Sequence, residues 1–191
     1  LDGRGWSNKD RNSFYDKLDN EELVSRLGSW SPIVRERAAM ALARRKGAPI
    51  PALLKMLNSS TLDSRYGAAQ ALAMLKGTAA PAVPVLKSTL RQDDLWLRVK
   101  AAEALARIGK PAMSAVPTLL EMLAKGPSEK DPRGMEQRYL CFALFNQRDG
   151  MLGRSLEQVD SEALYAAVRS GLRNEDGRAR SSIGSVYRNL P

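Results

Sequence analysis

Three arginines, Arg35, Arg65 and Arg98, recur at one place in a repeated stretch of the sequence. A guanidinium binds carboxylate or phosphate through a planar fork, so their chemistry would be anion recognition. One reading is a row of anion-binding cations along an edge of the molecule. The other is structural. Each arginine falls early in its segment, where a cation opposes a helix dipole and calls for a nearby acid. Asp63 and Asp94 are the acids at hand. A structural ladder of Arg35, Arg65, Arg98, Asp63 and Asp94 explains the recurrence better than a ligand does. Arg44, Arg45 and Lys46 form a second cationic run that could grip a polyanion; read structurally, it occupies the last helical turn, where each cation is favoured by ~0.3–1 kcal/mol. Trp30 and Trp96 are large aromatics at turns, suited either to anchoring a partner or to packing one unit on the next.

The inventory for catalysis is poor. There is no histidine and a single cysteine, Cys141. That removes the commonest general base, the usual metal ligand and every Ser-His or Cys-His dyad, and it excludes a disulfide framework. The carboxylate pairs Glu21-Glu22 and Asp93-Asp94 read as acids at helix N-termini. No catalytic residue, metal site or cofactor is expected. No apolar run approaches the ~18–20 residues that span a bilayer. The net charge of +9 is uneven: residues 31–91 hold ten cations against two anions, while residues 1–30 and 126–160 each sum to −1. A patch of this kind suits acidic partners.

The elements that position these residues come from an internal repeat. Val34–Ala43, Ser64–Ala73 and Leu97–Ala106 align without gaps on R-x-x-A-A-x-A-L-A. A glycine follows each (Gly47, Gly77, Gly109), and then a second motif begins at Pro51, Pro84 or Pro117, spaced 33 residues apart. The apolar positions recur at helical spacing, and alanine combines the best helix propensity with a surface that lets a neighbouring helix come close. Ser31, Thr61, Asp93 or Asp94, and Asp131 are the candidate N-caps. Prolines 32 and 132 fall in the first turn, and the three glycines are candidate left-handed C-caps. The second helices begin near Pro49, Ala80 and Pro111 and turn their leucines toward the first.

Residues 132–147 give a bulkier helix with Tyr139, Leu140, Cys141 and Phe142 where other units carry alanines, and Cys141 reads as a small buried hydrophobe. Another helix lies near 161–173. Arg180–Tyr187 reads as the first helix of a further unit, and 20–28 as the second helix of a preceding one, as if the ends cut through a longer array. Residues 1–18 read as an extended lead-in that Trp6 docks onto the array, and 19–191 as one repeat domain.

The R-x-x-A-A-x-A-L pattern, the closing glycine and the P-x-L-L second helix resemble the short HEAT-like repeats of the phycobilisome-lyase type, well over 27–124 and loosely over 125–191. The resemblance implies an all-α, right-handed α-solenoid (superhelix) of about four to five helix pairs, and a protein that binds rather than catalyses. Its usual binding surface is the concave face of the second helices, where Lys55 and Lys87 are polar positions. The stretch Asn146–Val159, with Arg148 and Arg154, breaks the repeat and is long enough for a specific role. The expected partner-binding set is therefore Trp30, Lys55, Lys87, Trp96, Arg148 and Arg154, with a protein as the partner. The alternative is nucleic acid or another polyanion held through residues 31–91 by Arg44, Arg45 and Lys46.

Overall fold

The computed structural model describes residues 7–153, 156, 159–184 and 187. These form helices and turns with no strand among them. The helices are α1 (Asn8–Lys17), α2 (Asn20–Leu27), α3 (Pro32–Ala43), α4 (Ile50–Leu57), α5 (Leu62–Leu75), α6 (Val83–Thr89), α7 (Leu95–Ile108), α8 (Val116–Lys125), α9 (Met135–Phe145), α10 (Ser161–Leu172) and α11 (Gly177–Gly184). They pair as first and second helices of stacked units. The first helices nest in order, α1 on α3, α3 on α5, α5 on α7, α7 on α9 and α9 on α11. Among the described residues this makes five pairs and one further first helix, arranged as a solenoid.

The alanine stripe does the nesting. Ala38, Ala39, Ala68, Ala69, Ala101 and Ala102 are wholly buried, together with Leu42, Leu72 and Leu105 one turn on. From the other side the second helices contribute Leu53, Leu57, Leu86, Leu90, Leu119, Leu120 and Leu123, all buried. At about 25 cal/mol per Å² of apolar area removed from water, such leucine layers supply much of the driving force for stacking. In α5 the approach is closer still. A Cβ built on Gly67 would lie 2.0 Å from the backbone oxygen of Leu27 in α2, so only glycine fits.

Several local features differ from the sequence reading. The lead-in is not extended throughout: Asn8–Lys17 is helical, with Ser7 and Asp10 closing a capping box. Polar side chains at every accessible turn hid its periodicity. α9 starts at Met135, not Pro132, because residues 131–134 form a turn first. Asp131 still serves this helix from outside, its two carboxylate oxygens accepting from the Met135 and Glu136 amides at 2.9 and 2.8 Å. Gly47 and Gly109 have positive φ as expected, but Gly77 does not; Lys76, one residue earlier, takes φ 52° instead. α6 and α8 are each approached through a tight 3-10 segment, Lys76–Ala82 and Lys110–Ala115, that holds Pro81 or Pro111. Proline lacks the amide an α-turn needs, so the regular helix begins only after it.

Candidate functional site

Two of the ladder arginines, Arg35 and Arg98, stitch their pair to the next. Arg35 is only 8% exposed. Its Nη1 donates to the carbonyls of Ser29 (2.6 Å) and Trp30 (3.0 Å) and to Asp63 Oδ1 on α5 (2.8 Å). Arg98 repeats the arrangement: Nη1 donates to the carbonyls of Gln92 (2.8 Å) and Asp93 (2.9 Å), and Nε and Nη2 take both oxygens of Glu136 on α9. That glutamate raises the Arg98 pKa further through the paired hydrogen bond. Arg180 on α11 makes the same reach back, to the carbonyl of Asn174 at 2.6 Å. In each case a guanidinium satisfies carbonyls of the turn that no helix can pair.

Two members of the expected ladder depart from it. Asp94 does not take Arg65. Its Oδ1 accepts from the Leu97 amide, capping α7, and from the Tyr66 hydroxyl, both at 2.7 Å. Burial, reinforced by the hydrogen bond to this carboxylate, pushes the Tyr66 hydroxyl up to about 12. Arg65 Nε is buried with no hydrogen-bond partner, as is that of Arg35. On α9 the corresponding position is Gln137, fully engaged with the Leu123 carbonyl, Ser170 and Asn174.

The basic run is largely committed. Arg44 pairs with Asp16 of α1. Arg45 donates to Asn20 Oδ1 and to the carbonyls of Asp16 and Leu18. Lys46 is exposed. The two arginines fasten α1 and α2 to the array. Lys55 is exposed on α4, and Lys87 is half-buried on α6. Trp30 is 82% exposed at the turn before α3, next to exposed Ile33. Arg148 is exposed in the insert, where its amide and that of Asp149 donate to Asn146 Oδ1. The Met151 and Leu152 amides then cap the last carbonyls of α9, those of Ala143 and Leu144, at 2.9 and 2.7 Å. Residues 146–153 thus fold back on α9 and bury Leu152. Arg154 and Trp6 lie outside the described residues.

Cys141 is buried, and burial pushes its thiol up to about 12, which suppresses the reactive thiolate. No group of three or more His, Cys, Asp or Glu residues placed to hold a metal occurs among the described residues.

Beside these positions lies a groove that sequence reasoning did not assign. It has a volume of about 550 Å³ and runs along α7, α9 and α11 on the first-helix side. Val99, Ala106, Tyr139, Phe142 and Ala143 form its apolar wall; Glu103, Arg107, Arg138, Asp149 and Arg178 stand around it. Phe142 is 44% exposed. Trp96, 46% exposed, meets Tyr139 edge-to-face with ring centroids 6.0 Å apart. The three aromatics extend the groove toward the start of α7. The signal was present in the sequence as the departure of Tyr139–Phe142 from the alanine pattern, but a bulky helix reads equally well as core.

A family model for HEAT repeats matches this chain over residues 20–93 and again over 50–133. The chain belongs to the HEAT-repeat family. The match is to HEAT repeats as such, and the phycobilisome-lyase type stays a resemblance of motif. No curated protein matches the sequence. Two crystal structures of engineered proteins from the Northeast Structural Genomics Consortium are similar in fold. One is 23% identical with a TM-score of 0.58, over 97% of this chain and 84% of that one. The other is 22% identical with a TM-score of 0.59, over 96% of this chain and 50% of that one. At such identity the likeness supports the HEAT solenoid and nothing finer. No helix among the described residues is long and apolar enough to cross a membrane.

Proposed function

We propose that this HEAT array is a non-catalytic protein-interaction module that takes a partner segment into the groove between α7, α9 and α11. HEAT solenoids are typical interaction scaffolds. The observation that carries the reading is an aromatic row in which Trp96 and Phe142 are exposed and Tyr139 is half-buried between them, with Tyr139 and Phe142 lining a groove of about 550 Å³. Aromatic anchors beside a desolvated pocket are where binding energy concentrates. On the second-helix face, Lys55 and Lys87 stand as isolated cations and contribute at most rim contacts, with Trp30 at the turn edge a further one. Polyanion binding through residues 31–91 is the weaker reading, because Arg44 and Arg45 already hold α1 and α2.

Selecting peptides from a random display library against the protein tests this. Binders should lose affinity about tenfold or more on Phe142→Asp or Trp96→Ala, while thermal unfolding of the exposed-site variants stays close to that of the parent. Binders indifferent to both changes and abolished by Lys55→Glu with Lys87→Glu would move the site to the second-helix face. Nucleic acid bound with a steep salt dependence, and lost in Lys46→Ala, would replace the reading altogether.

A further inference from the structure

We infer that the groove along α7, α9 and α11 selects an extended segment of a partner protein with an acid at one end and a base at the other, read by Arg178 and Asp149; the inference rests on the interaction-module reading above. Five charged side chains line the groove: Glu103, Arg107, Arg138, Asp149 and Arg178. Three are engaged within the chain. Glu103 pairs with Lys100 at 3.5 Å and with Arg107 at 3.2 Å, and Arg138 pairs with Asp176 at 3.3 Å. Asp149 and Arg178 are exposed, and among the described residues neither side chain has an ion-pair partner. Helix electrostatics does not explain where they stand. Asp149 lies just past the C-terminus of α9, the end where a helix dipole disfavours an anion. Arg178 lies in the first turn of α11, where the dipole disfavours a cation. Each charge works against its own helix, and each lines the groove.

The insert fixes Asp149 in place. Asn146 Oδ1 accepts from the Arg148 and Asp149 amides, both at 3.0 Å. A Cβ on Gly150 would lie 2.5 Å from the Asn146 nitrogen, and one on Gly153 2.1 Å from the Asn146 carbonyl oxygen, so the chain folds back this closely only with glycine at both places. At the other end, the Arg138–Asp176 pair sets the start of α11 beside the first turn of α9. The free cation therefore enters near Arg138 and the free anion just beyond Asn146. Between those two residues α9 rises about 12 Å, which an extended chain covers in about three to four residues. Tyr139 and Phe142 lie in that interval, where an apolar side chain of the segment seats. Extended backbone fits better than helix. Ser181 and Asn146 line the groove, and among the described residues the Ser181 hydroxyl and Asn146 Nδ2 have no hydrogen-bond partner. They can serve main-chain amides and carbonyls that a helix would pair within itself. The occupant is thus a protein segment with Asp or Glu at the Arg178 end, an apolar residue at the centre, and Lys or Arg at the Asp149 end.

The experiment uses the full chain and peptides selected from a random library. Bound peptides should carry an acid and a base about three to four residues apart, flanking an apolar residue. Asp149→Lys should weaken them about tenfold at low salt, and changing the peptide's base to Glu should restore most of that loss. Arg178→Glu should be rescued in the same way by changing the peptide's acid to Lys. Neither rescue should work at the opposite end, and both losses should shrink at high salt. In the parent protein each peptide change alone should weaken binding about tenfold, which decides the matter should a variant fail to fold. Loss on Asp149→Lys and Arg178→Glu without either rescue would overturn direct contact with the segment's charges. Peptides that lose binding on Phe142→Asp but keep it within twofold on Asp149→Lys and Arg178→Glu would overturn the charge reading and leave the groove standing. Peptides indifferent to all three changes would overturn both. A selected acid and base about seven or eight residues apart, two turns of helix, would overturn the extended segment.

Discussion

The stack α3–α5–α7 and the stack α7–α9–α11 are built from one repeat but present different surfaces. In the first, every helix offers a buried alanine pair at the contact, and Gly67 lets the α5 backbone approach the carbonyl of Leu27. The contact faces of these first helices are wholly buried. In the second, Leu140 and Cys141 occupy the alanine register of α9. The small residue has moved to the opposite partner: a Cβ on Gly171 of α10 would meet Ile183 Cδ1 at 2.6 Å and Cys141 Sγ at 3.0 Å. Bulk therefore stands in α9 where α3, α5 and α7 carry alanines, and the groove carrying Phe142 lies along this stack. A solenoid thus makes a feature by breaking its own motif, and the compensating small residue marks where the break is accommodated.

The sharpest way to break this comparison is to exchange the two registers. Leu140→Ala in α9 should leave a cavity and cost about 2–5 kcal/mol, read as a lower denaturant midpoint. The reciprocal change, Ala68→Leu in α5, should overpack and cost about 1–3 kcal/mol. If Leu140→Ala were close to neutral, α9 would be collapsing onto α7 and bulk would not be what its register requires. Gly67→Ala tests the alanine-lined side directly. Propensity alone predicts a gain of about 1 kcal/mol for replacing a mid-helix glycine. The 2.0 Å approach to a backbone atom that cannot rotate away predicts the opposite sign, a loss of about 2 kcal/mol. Lys100→Ala, at the matching position of α7, should change stability by no more than about 0.5 kcal/mol.

The stack of alanine-lined helices was legible in the sequence because its signal is local and repeated: small residues at helical spacing, a closing glycine and a proline after it. Arg35 and Asp63 were both named for the ladder on the same signal, without a pairing between them. What failed was whatever depended on one unit deviating from the rest. Glu136 pairs with Arg98 from 38 residues away, where no spacing rule points. Tyr66 takes Asp94, one of the two acids named for the ladder, which needs the lateral offset of two helices to foresee. α1 was missed because its stabilisation lies in polar contacts to the array, Asp16 to Arg44 and Asn12 to Arg37, and not in an apolar stripe. The groove was invisible because Phe142 on a helix face counts equally as core or as surface until its neighbours are in place.

A smaller effect separates the junctions within each unit. After α7 the chain turns on Gly109 with φ 77° and ψ −133°. After α5 the same turn is made by Lys76 with φ 52° and ψ −136°. The glycine has slipped to Gly77, and a side chain is held in a region that L residues avoid, at a cost of about 1–3 kcal/mol. Lys76→Gly should relieve that strain, less the added flexibility of the unfolded chain. The expected net is a stabilisation of about 1 kcal/mol, seen as a raised unfolding midpoint. Gly109→Lys should destabilise by more than that gain, because its backbone has relaxed around glycine.

The smallest effect falls on the seam between α5 and α7, where Tyr66 donates to Asp94 at the start of α7. Removing the hydroxyl in Tyr66→Phe should cost about 0.5 kcal/mol at neutral pH, the low end for a hydrogen bond at a part-exposed site. The informative part is its pH dependence. The hydroxyl is pushed from 10.0 up to about 12 by burial and by the neighbouring carboxylate. Between those values the unfolded chain gives up this proton while the folded one retains it, so the stability tied to it is complete below about pH 10 and drains away toward pH 12. The parent should therefore lose stability on that limb faster than Tyr66→Phe, and their urea midpoints should converge or cross. Cys141 is shifted in the same direction, but it is present in both proteins and cancels in the difference. Parallel alkaline limbs would mean that Tyr66 ionises freely in the folded protein, and that the seam is held by the packing of α5 on α7 without the hydroxyl.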